Sequence, residues 1–66
     1  MEIILNGEKK RFEKTLNAAE LVKLLGLDPK TVLVELNLHA IPRDEMAKVF
    51  IRDGDRVEII GLFGGG

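Results

Sequence analysis

The sequence predicts an α+β roll, in which one main helix covers one side of a mixed five-stranded sheet. Three observations predict this fold class. The chain opens on a strand-like run followed by Asn6-Gly7, the strongest short hairpin signal. One segment has helical spacing of its apolar residues, and the later segments are short and rich in β-branched residues. With 66 residues, the chain has the length of a single small domain.

The first hairpin joins residues 1–6 to a return strand from about Lys9 to Lys14. Asn6 and Gly7 tolerate the positive φ that both central positions of a type I′ turn require. The return strand carries the basic run Lys9-Lys10-Arg11 between glutamates. We interpret this run as a solvated strand edge rather than a phosphate site, since charged edges suppress aggregation.

One helix is predicted over Ala18–Leu25, because apolar residues recur there at the i, i+3, i+4, i+7 spacing of a single helix face. Asn17 is the expected N-cap, with Glu20 at the capping-box spacing, and Thr15 is the rival cap. Gly26 suits the left-handed position that ends a helix. The residues expected on the core face are Ala18, Leu21, Val22 and Leu25, with Leu24 widening it.

The second half of the chain consists of short predicted strands joined by turns. Its elements are a strand over 31–37, a turn at Asn37-Leu38, a short return over 39–41, residues 44–48 that can form one helical turn, a turn over 53–55 and a last strand over 56–60. The helix supplies the crossover that parallel strands need. We therefore expect the first and last strands to be parallel and central.

Alternation along the strands divides the apolar residues between two faces of the sheet. The set assigned to the core beneath the helix is Met1, Ile3, Leu5, Val32, Val34, Leu36, Val57 and Ile59. The opposite set is Ile4, Leu33 and Ile60, beside Glu2, Glu35 and Glu58. Two interpretations of this outer set stay open. In the first, it forms a docking patch together with Leu62 and Phe63. In the second, a loop such as residues 41–51 folds over it.

Missing residue types exclude several classes of active site. The chain has no Cys and no Ser, so a disulfide framework, a zinc–cysteine cluster and a Ser or Cys nucleophile are impossible. His39 lies in a predicted turn and is interpreted as solvated. Asp53 and Asp55 flank Gly54 without the spacing of a calcium loop, so they are interpreted as a turn and no metal site is expected.

Charge and hydropathy argue against two classes of partner, nucleic acids and membranes. Ten basic and eleven acidic residues argue against a general nucleic-acid or membrane-surface binder. The sequence also has no apolar run of transmembrane length. We expect a cytoplasmic protein that binds neither nucleic acid nor membrane.

The last residues of the chain are Leu62-Phe63-Gly64-Gly65-Gly66, directly after the last predicted strand. Three glycines gain nothing by packing, so we expect a thin, flexible end capped by a carboxylate. These properties suit a terminus that enters the active site of another protein and is modified there; the alternative is a frayed end. We divide the chain into a folded domain over residues 1–61 and a flexible glycine tail over residues 62–66.

The order of these segments resembles the ThiS/MoaD group of ubiquitin-like proteins, and within it the ThiS-type sulfur carriers of thiamine biosynthesis. The resemblance rests on the opening strand and turn, the helical residues 19–27, the strand residues 32–37, Ile41-Pro42-Arg43, residues 53–59 and the terminal glycines. It implies a ubiquitin-like β-grasp fold. Two positions depart from the family pattern. Asn37-Leu38 replaces a polar pair, so we expect a different or strained turn, and Met46 stands where an aromatic is common.

The resemblance implies a mechanism centred on the carboxylate of Gly66. A ThiF-type adenylating enzyme would use ATP and magnesium to form an acyl-adenylate there. A persulfide sulfur donor would then convert the adenylate to a thiocarboxylate. Thiazole synthase would use the sulfur of this thiocarboxylate to build the thiazole ring of thiamine. On this view the chain is a carrier rather than an enzyme and binds no cofactor itself. The other site residues implied are Gly64 and Gly65 in the tail channel, and Ile4, Leu33, Ile60, Leu62 and Phe63 for docking.

Two alternatives stay open on the sequence alone. A sulfur carrier for molybdopterin or another sulfur acceptor would have the same fold and chemistry. A β-grasp protein-interaction module with an inert tail would share only the fold.

Overall fold

The computed structural model of the protein describes residues 1–62, which form one α-helix and two sheets. The elements in chain order are β1 (Glu2–Leu5), β2 (Glu8–Arg11), β3 (Leu16–Asn17), α1 (Ala18–Leu24), β4 (Val32–Leu36), β5 (His39–Ala40), β6 (Phe50–Ile51) and β7 (Arg56–Gly61). Short 3₁₀ turns over Pro29–Thr31 and Arg43–Glu45 precede and follow the β4–β5 hairpin.

The main sheet has five strands in the order β2-β1-β7-β4-β5. β1 and β7 are parallel neighbours in its interior, and the other pairings are antiparallel. The predicted class is therefore confirmed: an α+β, ubiquitin-like β-grasp roll with a mixed five-stranded sheet and one main helix. The basic strand β2 lies at the edge of the sheet with every residue exposed, as its charge indicated.

Both hairpins of the main sheet turn in two residues with positive φ, as type I′ turns require. Asn6 and Gly7 connect β1 to β2 with φ of 47° and 84°. Asn37 and Leu38 connect β4 to β5 with φ of 50° and 73°. The second turn is thus of the same kind as the first. Its departure from the polar family pattern appears as backbone strain at Leu38, whose side chain has a Cβ.

Helix α1 begins and ends with the predicted signals. Asn17 Oδ1 accepts the backbone N–H of Glu20 at 2.8 Å, and Glu20 Oε1 accepts that of Asn17 at 2.9 Å, so Asn17 and not Thr15 is the N-cap. Gly26 takes the left-handed conformation with φ of 80°. The backbone N–H of Leu27 then reaches the carbonyl of Val22 at 3.1 Å, closing the helix in the Schellman arrangement.

The predicted core face of the helix was wrong at its C-terminal end. Ala18, Leu21 and Val22 are fully buried, but Leu24 is 57% and Leu25 39% exposed. The helix is one residue shorter than predicted, and Leu25 is its C-cap. The chain reverses through Gly26, and Leu27 rather than Leu25 packs against the core.

The core is closed on the helix side by β3 and residues 41–51, which the sequence pattern did not place there. β3 and β6 pair as a small second sheet, and the N–H groups of Ala18 and Ala19 bond the carbonyls of Val49 and Met46. β3 and β6 have two residues each, too few to show an alternating pattern, so neither was predicted. The core residues contributed by this part of the fold are Leu16, Ile41, Met46 and Ile51, and all four are buried.

The predicted division of the main sheet into two faces is confirmed for the core side. Ile3, Leu5, Val32, Val34 and Val57 are buried in one cluster with α1. The other three residues assigned to this face, Met1, Leu36 and Ile59, are partly buried and pack against the same cluster.

Candidate functional site

Strand β7 leads to the C-terminal residues, so its surroundings define the candidate site. On one side β4 accompanies it to the end, with Val32 opposite Gly61, and the Leu62 N–H donates to the Thr31 carbonyl at 3.0 Å. On the other side β1 ends at Leu5, opposite Val57. The last residues of β7 therefore have a strand neighbour on only one side.

The side chain of Asn6 takes over where β1 stops. Its Oδ1 accepts the Ile59 N–H at 2.7 Å, and its Nδ2 donates to the Ile59 carbonyl at 3.2 Å. The amide thereby mimics one more residue of a pairing strand, since it offers one acceptor and one donor in the same sense as a backbone peptide. Asn6 therefore has two roles: its backbone takes the left-handed conformation that the turn requires, and its side chain holds β7.

Asn37 forms a comparable clamp at the other end of β7. Its Oδ1 accepts the Arg56 N–H at 2.9 Å, while its own N–H donates to the Arg56 carbonyl at 2.8 Å. Its Nδ2 donates to Asp55 Oδ1 at 3.0 Å. Both turn asparagines therefore tie their hairpins to β7, a role that the Asn-Gly hairpin signal alone did not reveal.

The outer face of the sheet is not covered by residues 41–51. The buried members of that segment belong to the same cluster as α1 and lie on the helix side. Ile60 is 47% exposed, Leu62 is 50% exposed, and Leu33 is half-buried. The interpretation in which residues 41–51 cover the outer aliphatic residues was therefore wrong. The interpretation of these residues as a docking patch stays a prediction.

The strand registers of the main sheet separate the predicted outer aliphatic residues into two groups. Leu33 lies directly opposite Ile60, and Leu62 follows Ile60 by two residues, just after the end of β7. Ile4 lies opposite Arg56, four residues before Ile60, which separates the two isoleucines by about 13 Å along the strand direction. Leu33, Ile60 and Leu62 are therefore grouped near the exit of β7, and Ile4 lies apart from them.

A pair of carboxylates lies between these two parts of the outer face. Glu35 is directly opposite Glu58, and both are half-buried. They precede the Leu33–Ile60 pair along β7 by two residues. We call the four residues Glu35, Glu58, Leu33 and Ile60 the acidic–apolar stripe. Sequence alternation placed these residues on one face, but their direct opposition depends on the β4–β7 register, which alternation does not determine.

The predicted tail lies largely outside the described residues. β7 ends at Gly61, and Leu62 is the last residue that the structure describes. The proposed site residues Phe63, Gly64, Gly65 and Gly66 follow it. The division into a domain over 1–61 and a tail over 62–66 therefore stays a prediction.

The other polar residues considered in the sequence, His39, Asp53 and Asp55, have backbone partners within the described residues. His39 is exposed, and its Nδ1 lies 3.0 Å from the Asn37 carbonyl oxygen. Asp53 Oδ1 accepts the Glu2 N–H, and Asp55 Oδ2 accepts the Arg52 N–H, both at 2.7 Å. Gly54, between them, has φ of 87° and forms the predicted turn.

Residues 1–62 contain neither a cavity that would hold a small molecule nor a group of three or more side chains placed to bind a metal ion. Within the same range, no helix is long and apolar enough to cross a membrane. The distinctive features of this part of the chain are therefore the outer face of the sheet and the exit of β7.

Comparison with known proteins places the chain in a family. The model of the ThiS family matches residues 3–66. The crystal structure of the thiamine biosynthesis protein (ThiS) from Geobacter metallireducens superimposes with a TM-score of 0.86 at 32% identity, over the whole of both chains.

Two curated relatives are larger proteins named thiazole synthase. The one from Paramagnetospirillum magneticum is 38% identical and the one from Magnetococcus marinus 33% identical, each over all 66 residues of this chain. The chain spans about a fifth of the length of these relatives, since it covers 20% of each. The family match extends over all but the first two residues, and the ThiS structure superimposes over the whole chain, so we conclude that the chain belongs to the ThiS family.

Proposed function

We propose that this protein is a sulfur carrier of thiamine biosynthesis that acts in the cytoplasm through the carboxylate of Gly66. The observation that carries the proposal is the ThiS family match, because it extends from residue 3 through the terminal glycines. The likeness to the ThiS structure over its full length supports the same proposal.

The chemistry begins with a carboxylate that is unreactive toward sulfur nucleophiles. Its oxygen attacks the α-phosphorus of ATP, pyrophosphate leaves, and an acyl-adenylate forms. The terminal sulfur of a persulfide then attacks the acyl carbon and displaces AMP. A second thiol cleaves the sulfur–sulfur bond, becoming part of a disulfide, and leaves the thiocarboxylate on Gly66. The thiocarboxylate then donates its sulfur to the thiazole ring.

The tail suits this chemistry by its dimensions. Residues 62–66 span at most about 16–18 Å when extended, enough to leave the domain and enter a buried site. Gly64, Gly65 and Gly66 have no Cβ, so they fit a narrow channel and accept whatever backbone angles it imposes.

The remaining parts of the reaction belong to partners. A ThiF-type adenylyltransferase supplies the site for ATP and magnesium, and thiazole synthase receives the sulfur. The names of the two curated relatives support the second partner, since the whole of this chain aligns with part of each thiazole synthase. The protein is thus a co-substrate of these enzymes and not itself an enzyme. Its proposed docking residues are Ile4, Leu33, Ile60, Leu62 and Phe63.

The test is intact-mass measurement after incubation with the adenylating enzyme, ATP and a persulfide donor. We expect the mass to rise by the difference between sulfur and oxygen, at Gly66 alone. Deleting Gly66 shortens the reach by about 3.5 Å and should slow adenylation sharply, because misplacement by about 1 Å can cost about 100-fold in rate.

A matched variant with one residue added beyond Gly66 should be impaired equally, since it moves the carboxylate and adds a Cβ. Full-rate pyrophosphate exchange by this extended form without prior trimming would falsify the terminal-carboxylate mechanism. A wild-type mass that never changes would instead favour an interaction module with an inert tail.

A further inference from the structure

The inference concerns the acidic–apolar stripe and rests on the proposed function. The hydrogen bonds from Asn37 N–H to the Arg56 carbonyl and from Leu62 N–H to the Thr31 carbonyl set the phase of the β4–β7 ladder. In this phase Glu35 and Glu58 are a hydrogen-bonded pair, with Cα atoms about 5.5 Å apart. Their side chains project from the same outer face, because their neighbours Val34, Val57 and Ile59 pack on the core side.

Like charges placed directly opposite each other on a sheet are unfavourable unless a cation lies between them. The one ion pair found within residues 1–62 joins Lys10 to Glu8 at 3.7 Å, on the edge strand. Arg56, two residues before Glu58, shares the outer face but forms no ion pair with either carboxylate in the described part of the chain. The two half-buried carboxylates are therefore open to a cation from outside.

An apolar pair follows the acidic pair along the same two strands. Leu33 and Ile60 are displaced from Glu35 and Glu58 by two residues, or about 7 Å. Beyond them Leu62 marks the start of the segment that leads to Gly66. From the exit of β7 backwards along the strand, the outer face therefore presents first the apolar pair and then the acidic pair. A protein that binds the tail can contact both pairs.

We propose that the stripe binds a surface of the adenylating enzyme that presents an arginine between Glu35 and Glu58 and an apolar side chain on Leu33 and Ile60. A guanidinium matches the acidic pair, because its planar array of five N–H donors can bond both carboxylates at once. The apolar contact supplies affinity, and the charged contact determines the register of docking and hence where the tail enters.

A metal ion suits the acidic pair less well. The two carboxylates lie on an open sheet face, and no group of three or more candidate ligands occurs among residues 1–62. Hard cations such as calcium bind through six or more oxygens, which this surface does not bring together.

The test compares Glu35→Gln/Glu58→Gln with the control Glu13→Gln/Glu45→Gln. Both double variants remove two negative charges, and Glu13 and Glu45 are exposed residues outside the stripe. The readout is the carrier dependence of ATP–pyrophosphate exchange by the adenylating enzyme of the same organism, at low and at moderate ionic strength.

We expect the stripe variant to raise the KM for the carrier at least tenfold with kcat unchanged, and to lose most of its salt dependence. The control should change KM less than twofold. Thermal unfolding should show the stripe variant to be at least as stable as the wild type, because a repulsion has been removed.

A KM change below twofold in the stripe variant, or an equal change in the control, would overturn the inference. So would sedimentation showing a wild-type dimer that the stripe variant dissociates, since the occupant would then be a second copy of the chain. The sulfur-for-oxygen mass change on the wild type is independent of these outcomes, so a failure here is distinguishable from a failure of the proposed function.

Discussion

At the scale of single residues, Leu38 and Gly7 occupy the second position of equivalent turns but differ in conformational cost. Leu38 has φ of 73° and a side chain that is 74% exposed, so burial offsets little of its strain. The left-handed conformation raises the free energy of a residue with a Cβ by roughly 1–2 kcal/mol. Gly7, with φ of 84°, has no Cβ and therefore no such steric cost.

Leu38→Gly should therefore stabilise the protein by about 0.5–1 kcal/mol, because the relief of strain exceeds the added freedom of glycine in the unfolded chain. Urea unfolding measures the difference. The matched control is Gly7→Ala, since a Cβ there would meet no atom within 4 Å and any cost is conformational. A Leu38→Gly variant no more stable than the wild type would show that this turn is not strained.

The two turn asparagines allow a crossed experiment on β7. Replacing either by glycine keeps the positive φ but removes the side-chain hydrogen bonds, at a cost of about 1 kcal/mol. Asn6→Gly should speed amide exchange at Ile59, whereas Asn37→Gly should speed it at Arg56. The same uniform acceleration in both variants would mean that the clamps stabilise the fold as a whole rather than their own ends of the strand.

At the scale of elements, α1 depends strongly on its ends, because seven residues are too few for helix propensity alone to maintain. The capping box and the Schellman arrangement satisfy backbone groups at both termini. Burial of Ala18, Leu21 and Val22 supplies the remaining stabilisation.

Asn17→Ala should lower the free energy of unfolding by about 1 kcal/mol, since the N–H of Glu20 loses its side-chain acceptor. Thr15→Ala is the matched control, because Thr15 is exposed and is not the N-cap. Both are measured by thermal or urea unfolding. An equal loss in the two variants would contradict the assignment of the cap.

At the scale of the whole molecule, the fold separates a closed side from an open one. The helix and residues 41–51 close the core side of the main sheet, and the outer face presents the acidic–apolar stripe beside the exit of β7. Stability therefore depends mainly on one side, and we expect partner binding to depend on the other.

Ile60→Glu tests this separation. We expect the fold to persist, because Ile60 is half exposed, while affinity for the adenylating enzyme falls at least tenfold as a charge replaces an apolar contact. Leu24→Glu is the matched control: Leu24 is a comparably exposed leucine on α1. Binding is measured by titration calorimetry and folding by circular dichroism.

Unchanged affinity of the Ile60→Glu variant would place the docking surface elsewhere. An unfolded variant would show that Ile60 belongs to the core, contrary to its exposure. Equal losses for the two variants would indicate a general effect of added charge.

Several elements could be predicted because their signals are local. The Asn6-Gly7 turn, the Asn17–Glu20 cap and Gly26 each depend on residues at most a few positions apart, and all three were confirmed. The end of the helix face could not be predicted from periodicity, since Leu25 fits the pattern but lies where the chain is already reversing. For the candidate site, alternation placed Leu33 and Ile60 on the outer face but could not pair them.

By itself the sequence determined the fold class, the turn chemistry and the apolar faces of β1, β4 and β7, because these follow from spacing and the order of segments. The family was indicated by the resemblance of its segments to the ThiS/MoaD group. The tertiary structure alone decided that residues 41–51 close the core, that Glu35 meets Glu58, that Ile4 is separated from Ile60 and that Asn6 holds Ile59. The physical reason is register: contacts between distant segments depend on how far one strand slides past another, and core packing and turn lengths across the whole chain determine that together.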